Sequence, residues 1–253
     1  MICVYFSGTG NTKYCAERFL KALGETVTGY SIEDENVRQA VGNCERLIFA
    51  YPVYYSALPK IVFDFITQNA ALWKGKKIFI LCTMGLFSGD GAGVSARLFR
   101  RYGASVLGGL HVKMPDCIGD VKLLKKPLSK NRKIVAEANE KISRAARRIS
   151  AGAYPQNGLG VFDRLAGLFF QRLYFGGKTK RYYGGIKADP HKCVGCGACV
   201  SLCPMRNIFL AEKGVCFAGK CTMCYRCFAN CPQKAITVIG KRVYDQNKVQ
   251  NYL

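Results

Sequence analysis

A chain that spells C-x2-C-x2-C-x3-C-P twice has little freedom in what it can fold around. The first copy runs from Cys193 to Cys203 and Pro204, the second from Cys221 to Cys231 and Pro232. An offset of 28 residues lays the cysteines and proline of one copy on those of the other, and Ile208 on Ile236. The segment is therefore an internal duplication. Three cysteines at intervals of three let one tight loop wrap three corners of an iron–sulfur cubane, and the fourth, just before a proline, leaves in another direction. C-x2-C pairs also bind zinc, but zinc takes four ligands in paired knuckles and needs no C-x2-C-x2-C run.

This stretch of about 60 residues resembles the two-cluster bacterial ferredoxins. The resemblance implies two 4Fe–4S clusters with crossed ligation. Cys193, Cys196, Cys199 and Cys231 would hold cluster one; Cys221, Cys224, Cys227 and Cys203 would hold cluster two. Small residues Gly195, Gly197 and Ala198 in the first loop let amides approach the sulfurs. Thr222, Met223, Tyr225 and Arg226 stand in the second loop. Arg226 is expected to raise the potential of cluster two, because a nearby positive charge favours the reduced form.

The N-terminal part has a different grammar. Apolar residues 2–6 read as a buried parallel strand. Ser7, Gly8, Thr9, Gly10, Asn11 and Thr12 follow, then a helix-like stretch with Cys15, Phe19 and Leu23 every four residues. Such a loop offers N–H groups and hydroxyls at a helix N-terminus, where an anion is stabilised. No G-K-S/T follows and a dinucleotide fingerprint fails at its third glycine. Further strands are expected at 26–30, 46–50, 77–82 and 106–112, with helices between them and a long basic helix at 129–150. The alternation predicts an α/β fold, a doubly wound five-stranded parallel sheet. Ligands in such sheets lie beyond the carboxyl ends of the strands.

The 7–12 loop resembles the S/T-x-T-G-x-T phosphate loop of flavodoxins, which implies a flavodoxin-like domain that binds FMN. The same resemblance places the ring between the loops after the third and fourth strands. Those loops contain Pro52, Val53, Tyr54 and Tyr55, and Thr83, Met84 and Gly85. Phe87 in the second of them departs from the tyrosine usual in flavodoxins. The domains expected are 1–150 for the flavodoxin-like FMN-binding domain, 151–187 for a basic, amphipathic connector, and 188–253 for a small α+β ferredoxin domain. In the connector Phe162, Leu165 or Ala166, Phe169 and Leu173 fall on one helical face. That face is expected to dock one domain on the other, with peripheral membrane contact as the alternative.

Charge and cysteine usage narrow the function. The net charge is +22, and residues 111–192 carry 18 basic against 6 acidic side chains. Such a field steers acidic partners, here acidic redox proteins such as a ferredoxin, a flavodoxin or an oxidoreductase, with capture expected near the junction. A nucleic-acid role is not expected. Iron–sulfur ligation needs reduced thiols, so a cytoplasmic setting is expected. Met1 leads straight into a strand, so no leader is expected, and no apolar run is long enough to span a bilayer. Cys3, Cys15, Cys44, Cys82, Cys117 and Cys216 are scattered, and most are expected to be small buried hydrophobes. Only His111 and His191 are histidines, and no Ser/His/Asp or Cys/His constellation stands out, so no catalytic residue is assigned. Taken together the chain resembles the flavodoxin–ferredoxin fusions, ferredoxin-like electron carriers of anaerobes. The resemblance implies electron relay between FMN and two clusters, joining one- and two-electron steps. The alternative is an FMN-dependent reductase of a quinone, a nitro compound or dioxygen fed by the clusters.

Overall fold

The computed structural model describes residues 1–24, 28–54, 57–172, 184–212 and 214–253. Strands β1 (Ile2–Tyr5), β2 (Gly29–Ser31), β3 (Arg46–Pro52), β4 (Lys77–Met84) and β5 (Ser105–Lys113) form one sheet. All pairings are parallel and the order is β2-β1-β3-β4-β5. Residues 26 and 27 of the expected second strand lie outside the described residues. Helices α1 (Asn11–Leu23), α2 (Val37–Gly42), α3 (Lys60–Gln68), α4 (Gly91–Arg101) and α5 (Leu128–Ser150) alternate with the strands.

The strands read as continuous apolar runs because helices cover both faces. Leu47, Phe49 and Tyr51 of β3 face Val62, Trp73 and Phe99, while Ile48 and Ala50 face Phe19 and Ile142 on α1 and α5. The Phe49 ring meets Phe99 edge-on at 5.0 Å and Trp73 at 6.1 Å, a geometry favoured by the ring quadrupoles. Helix α5 buries Ile134, Val135, Ala138 and Ile142 and turns Lys130, Arg132, Lys133, Arg144, Arg147 and Arg148 to solvent. That solvated face holds much of the basic excess.

After α5 the chain runs back along β5, then forms α6 (Val161–Ala166) and a π-helical turn (Gly167–Arg172). Docking of this apolar face was the expectation. Among its described residues Phe162 and Phe169 are instead 89% and 60% exposed, so these two rings do not dock one domain on the other. Leu173 and connector residues 176–183 lie outside the described residues.

The C-terminal unit repeats itself in structure. Strand β6 (Lys187–Ala188) pairs antiparallel with β9 (Ile236–Thr237), and β7 (Ile208–Ala211) with β8 (Gly214–Phe217). Helices α7 (Ala198–Leu202) and α8 (Arg226–Asn230) superpose at the 28-residue offset seen in the sequence. Among the described residues no helix is long and apolar enough to cross a membrane.

The unit is fastened to the sheet. Asp120, in the loop after β5, is buried; its Oδ1 accepts the Tyr225 hydroxyl at 2.9 Å. Its Oδ2 accepts the N–H groups of Val238, Ile239 and Gly240 at 2.7, 2.9 and 3.0 Å. The chain end returns as well: the Val249 N–H donates to the Thr9 carbonyl at 3.1 Å, and Val249 and Tyr252 join the core between α1 and α5.

Candidate functional site

The carboxyl ends of β1, β3, β4 and β5 open on a cavity of about 340 Å³, at the small end of the range for ligand cavities. Of the expected cofactor residues, Ser7, Gly8, Thr9, Asn11 and Thr12 line it from the first loop. Pro52, Val53 and Tyr54 line it from the second, and Thr83, Met84 and Gly85 from the third. Gly10 is not in the wall; it caps α1 in the left-handed region, φ 96°, which turns the loop into the helix. Tyr55 lies outside the described residues.

The loop suits an anion and an ester. Ser7 Oγ and Asn11 Oδ1 are buried with no hydrogen-bond partner among the described residues, which is costly unless a ligand completes them. Thr12 and Thr83 share a hydroxyl hydrogen bond of 2.8 Å, tying the first loop to the third. Asn11 Nδ2 donates to the Pro115 carbonyl at 2.8 Å. These residues fit the phosphate and ribityl end of an FMN, and the apolar remainder fits its ring.

Sequence reasoning missed two walls. One is the loop after β5, where Met114, Asp116, Cys117 and Ile118 line the cavity. The rule that ligands sit at strand carboxyl ends pointed there, but no motif marked the residues. The other wall is the cluster unit: Met223, Cys224, Tyr225 and Ile239. Burial, followed by the nearby Cys117, Cys224 and Cys221, holds the Tyr54 hydroxyl well above its ordinary range. The flavin-side tyrosine and the second cysteine motif thus share one apolar enclosure.

The eight motif cysteines form two groups, in the crossed pattern. One small cavity is lined by Cys193, Cys196, Cys199 and Cys231, the other by Cys221, Cys224, Cys227 and Cys203. Among the described residues no three Cys, His, Asp or Glu side chains converge as a single-ion site requires. Four thiols around a space suit a cubane better than one zinc. Burial pushes the Cys224 thiol up to about 12, so thiolates there depend on the positive charge of bound iron. Backbone N–H groups of Asn207, Met223 and Ala235 reach the sulfurs of Cys203, Cys221 and Cys231, each at 3.3 Å.

Cys224 belongs to both sites, lining the large cavity and the second cluster cavity. Contact there is close. A methyl group on Gly8 would lie 2.0 Å from the Cys224 carbonyl oxygen, so only glycine admits the second cysteine motif to the phosphate loop. Arg226 anchors the same seam. Its guanidinium donates to both carboxylate oxygens of Glu33, at 2.6 and 2.7 Å, and to the Ser7 carbonyl at 3.0 Å.

Of the scattered cysteines, Cys3, Cys15 and Cys82 are fully buried, Cys44 and Cys117 half-buried, and Cys216 exposed. His111 is a brace. Its Nδ1 meets Ser88 Oγ at 2.6 Å, and its Nε2 accepts the Ala92 N–H at 3.2 Å. Burial holds its pKa down at about 4, so the ring is neutral and has no free base.

The model of a family described as a flavodoxin domain matches residues 2–105, and that of a 4Fe–4S dicluster domain matches residues 192–235. No curated protein matches the chain. Among solved structures, the two-electron reduced flavodoxin of Megasphaera elsdenii is 26% identical, with a TM-score of 0.43, covering 58% of this chain and 99% of its own. The oxidised flavodoxin 2 of Bacillus cereus is 18% identical over 60% of this chain and 97% of its own, with a TM-score of 0.44. The Trp repressor binding protein of Bacillus subtilis is 17% identical over 57% of this chain and 96% of its own, with a TM-score of 0.42.

Proposed function

We propose that this chain, a flavodoxin domain followed by a 4Fe–4S dicluster domain in the manner of the flavodoxin–ferredoxin fusions, relays electrons in the order partner protein, cluster one, cluster two, FMN. Its cofactors are FMN and iron–sulfur clusters, and its class is electron transfer. The clusters pass single electrons and the flavin holds one or two, so the chain joins the two regimes. The residues proposed to hold FMN are those of the 7–12 loop with Pro52, Val53, Tyr54, Thr83, Met84 and Gly85. The eight motif cysteines are proposed as the cluster ligands in their crossed sets.

One observation carries the order: Cys224 lines both the flavin cavity and the second cluster cavity. Cluster one lies at the other end, with Cys196 exposed and Val194 66% exposed. Beside it Lys187, Lys192, Lys234, Lys241 and Arg242 line an open groove. This favours an acidic one-electron partner docking at cluster one rather than at the junction, with an on-rate that falls as salt rises. A basic groove suits a protein partner, which favours a carrier over a reductase of a quinone, nitro compound or dioxygen.

The test is anaerobic rapid mixing of the loaded protein with a reduced one-electron donor protein. Purified chain should contain about eight iron atoms and one FMN. The clusters should reduce first and the flavin second, at a rate independent of protein concentration. Flavin reduction that outruns the clusters, or that persists unchanged in a Cys224→Ser variant lacking cluster two, would overturn the order.

A further inference from the structure

The flavin cavity has an unusual electrostatic wall. In a chain of net charge +22, no Lys, Arg or His is among the described residues that line it. One charged side chain does line it: Asp116. Its carboxylate leans over the third loop, with Oδ2 2.6 Å from where a methyl group on Gly85 would stand. This close approach explains the glycine. Oδ1 accepts the Ile118 N–H at 2.9 Å, and the Cys117 backbone N–H also bonds the carboxylate. Asn247 Nδ2 donates to the Asp116 carbonyl at 2.9 Å and steadies its backbone.

A flavin that gains an electron pair and one proton carries a new negative charge. Fixed cations or a proton must compensate it in an apolar enclosure, because like charges in low dielectric repel strongly. Among the described residues the wall offers no fixed cation. We infer that Asp116 is the proton-carrying side chain of this cavity, taking one proton on Oδ2 each time the flavin gains an electron pair. The balance is simple. Two electrons arrive singly from the clusters, drawn from the reduced partner. One proton bonds to the flavin ring and one to Asp116 Oδ2, both from water, and reoxidation by an acceptor returns both.

The surroundings agree. Burial raises the Asp116 carboxyl from its ordinary value, opposed first by the Ile118 N–H and then by the nearby Lys126 ammonium and the Cys117 N–H. Lys126 is half-buried and flanked by Lys113 and Lys130, and stands as the nearest ammonium on the solvent side. Cys117 and Tyr252 are the other titratable groups close by, and burial pushes both upward, so they stay protonated at neutral pH.

The inference rests on FMN in this cavity but not on the order of the clusters. Spectroelectrochemical titration of the FMN-loaded full chain, from neutral to mildly alkaline pH, counts the protons taken up per flavin electron pair. Counted per bound FMN, wild type should take two, Asp116→Asn one, and Asp116→Glu two again. One proton in wild type overturns the inference even if Asp116→Asn fails to fold, and two in Asp116→Asn overturns it too. Wild type purified without FMN would instead break the reading of the cavity.

Discussion

The two cysteine motifs are copies in sequence and opposites in setting. In the first copy Gly195 and Gly197 take φ of 66° and 73°, with open space around both. In the second, Met223 and Tyr225 hold the same turns at φ 55° and 59°. A left-handed residue with a side chain costs roughly 1–2 kcal/mol, so the second copy carries strain that the first does not. What offsets it is packing. Met223 and Tyr225 are buried and line the cavity at the carboxyl ends of the strands, Tyr225 meets Phe228 edge-on at 5.2 Å, and its hydroxyl is held by Asp120. Arg206 and Lys234, the other non-glycine residues at positive φ among those described, occupy equivalent positions after each Cys-Pro, so that turn is common to both copies. Among the positive-φ positions, divergence is confined to the loops around the first three cysteines. One copy kept the small residues of an exposed tip; the other became an interface.

Four tests strain this contrast. The largest effect is expected from Asp120→Ala, which removes the acceptor of the Tyr225 hydroxyl and of three N–H groups, one buried and two half-buried, a loss of about 4 kcal/mol. Cluster two should then bleach on mild heating while cluster one persists; equal loss of both would break the contrast. Gly8→Ala comes next, since the added methyl group meets backbone rather than a movable side chain, costing about 3 kcal/mol. FMN content should fall with it, and normal flavin loading with unchanged thermal stability would show that the seam is looser than described.

A reciprocal pair sharpens the comparison further. Gly197→Ala should cost only its backbone strain, about 1 kcal/mol, at an open position. Tyr225→Gly relieves strain but loses ring packing and the Asp120 bond, a net loss of about 2 kcal/mol. Thermal midpoints of cluster absorbance measure both, and a larger loss for Gly197→Ala would reverse the assignment of exposed and buried copies. Arg226→Ala is expected to have the smallest effect. Glu33 already pairs both guanidinium nitrogens, so removing the cation should lower the potential of cluster two only slightly, and Glu33→Ala should raise it. A large downward shift would mean that Glu33 does not screen the charge.

Much of this was legible in the chain. The cysteine spacing implied two crossed sets, and two cavities are lined accordingly. The 7–12 loop followed the first strand, and its hydroxyl and amide groups do face a cavity. These are local patterns, with partners a few residues apart or at strand ends whose position the α/β alternation dictates. The misreadings were of contacts distant in sequence. Phe162 and Phe169 have the spacing of a docking face, but spacing says only that residues share a side, not that another surface meets it. Asp116 and Asp120 sit in an unremarkable loop, and their roles come from residues up to 131 and 120 positions away.

The sequence by itself determined the cofactor chemistry and the sheet, because ligand spacing and strand periodicity are properties of short segments. It also held the asymmetry of the copies in plain view, in Gly195 and Gly197 against Met223 and Tyr225, but without a sign. Only the tertiary structure decided which copy turns to the cavity at the carboxyl ends of the strands. That choice rests on a seam where Gly8, Asp120, Tyr225 and the returning Val249 meet, and such complementarity exists only once the chain has brought its two ends together.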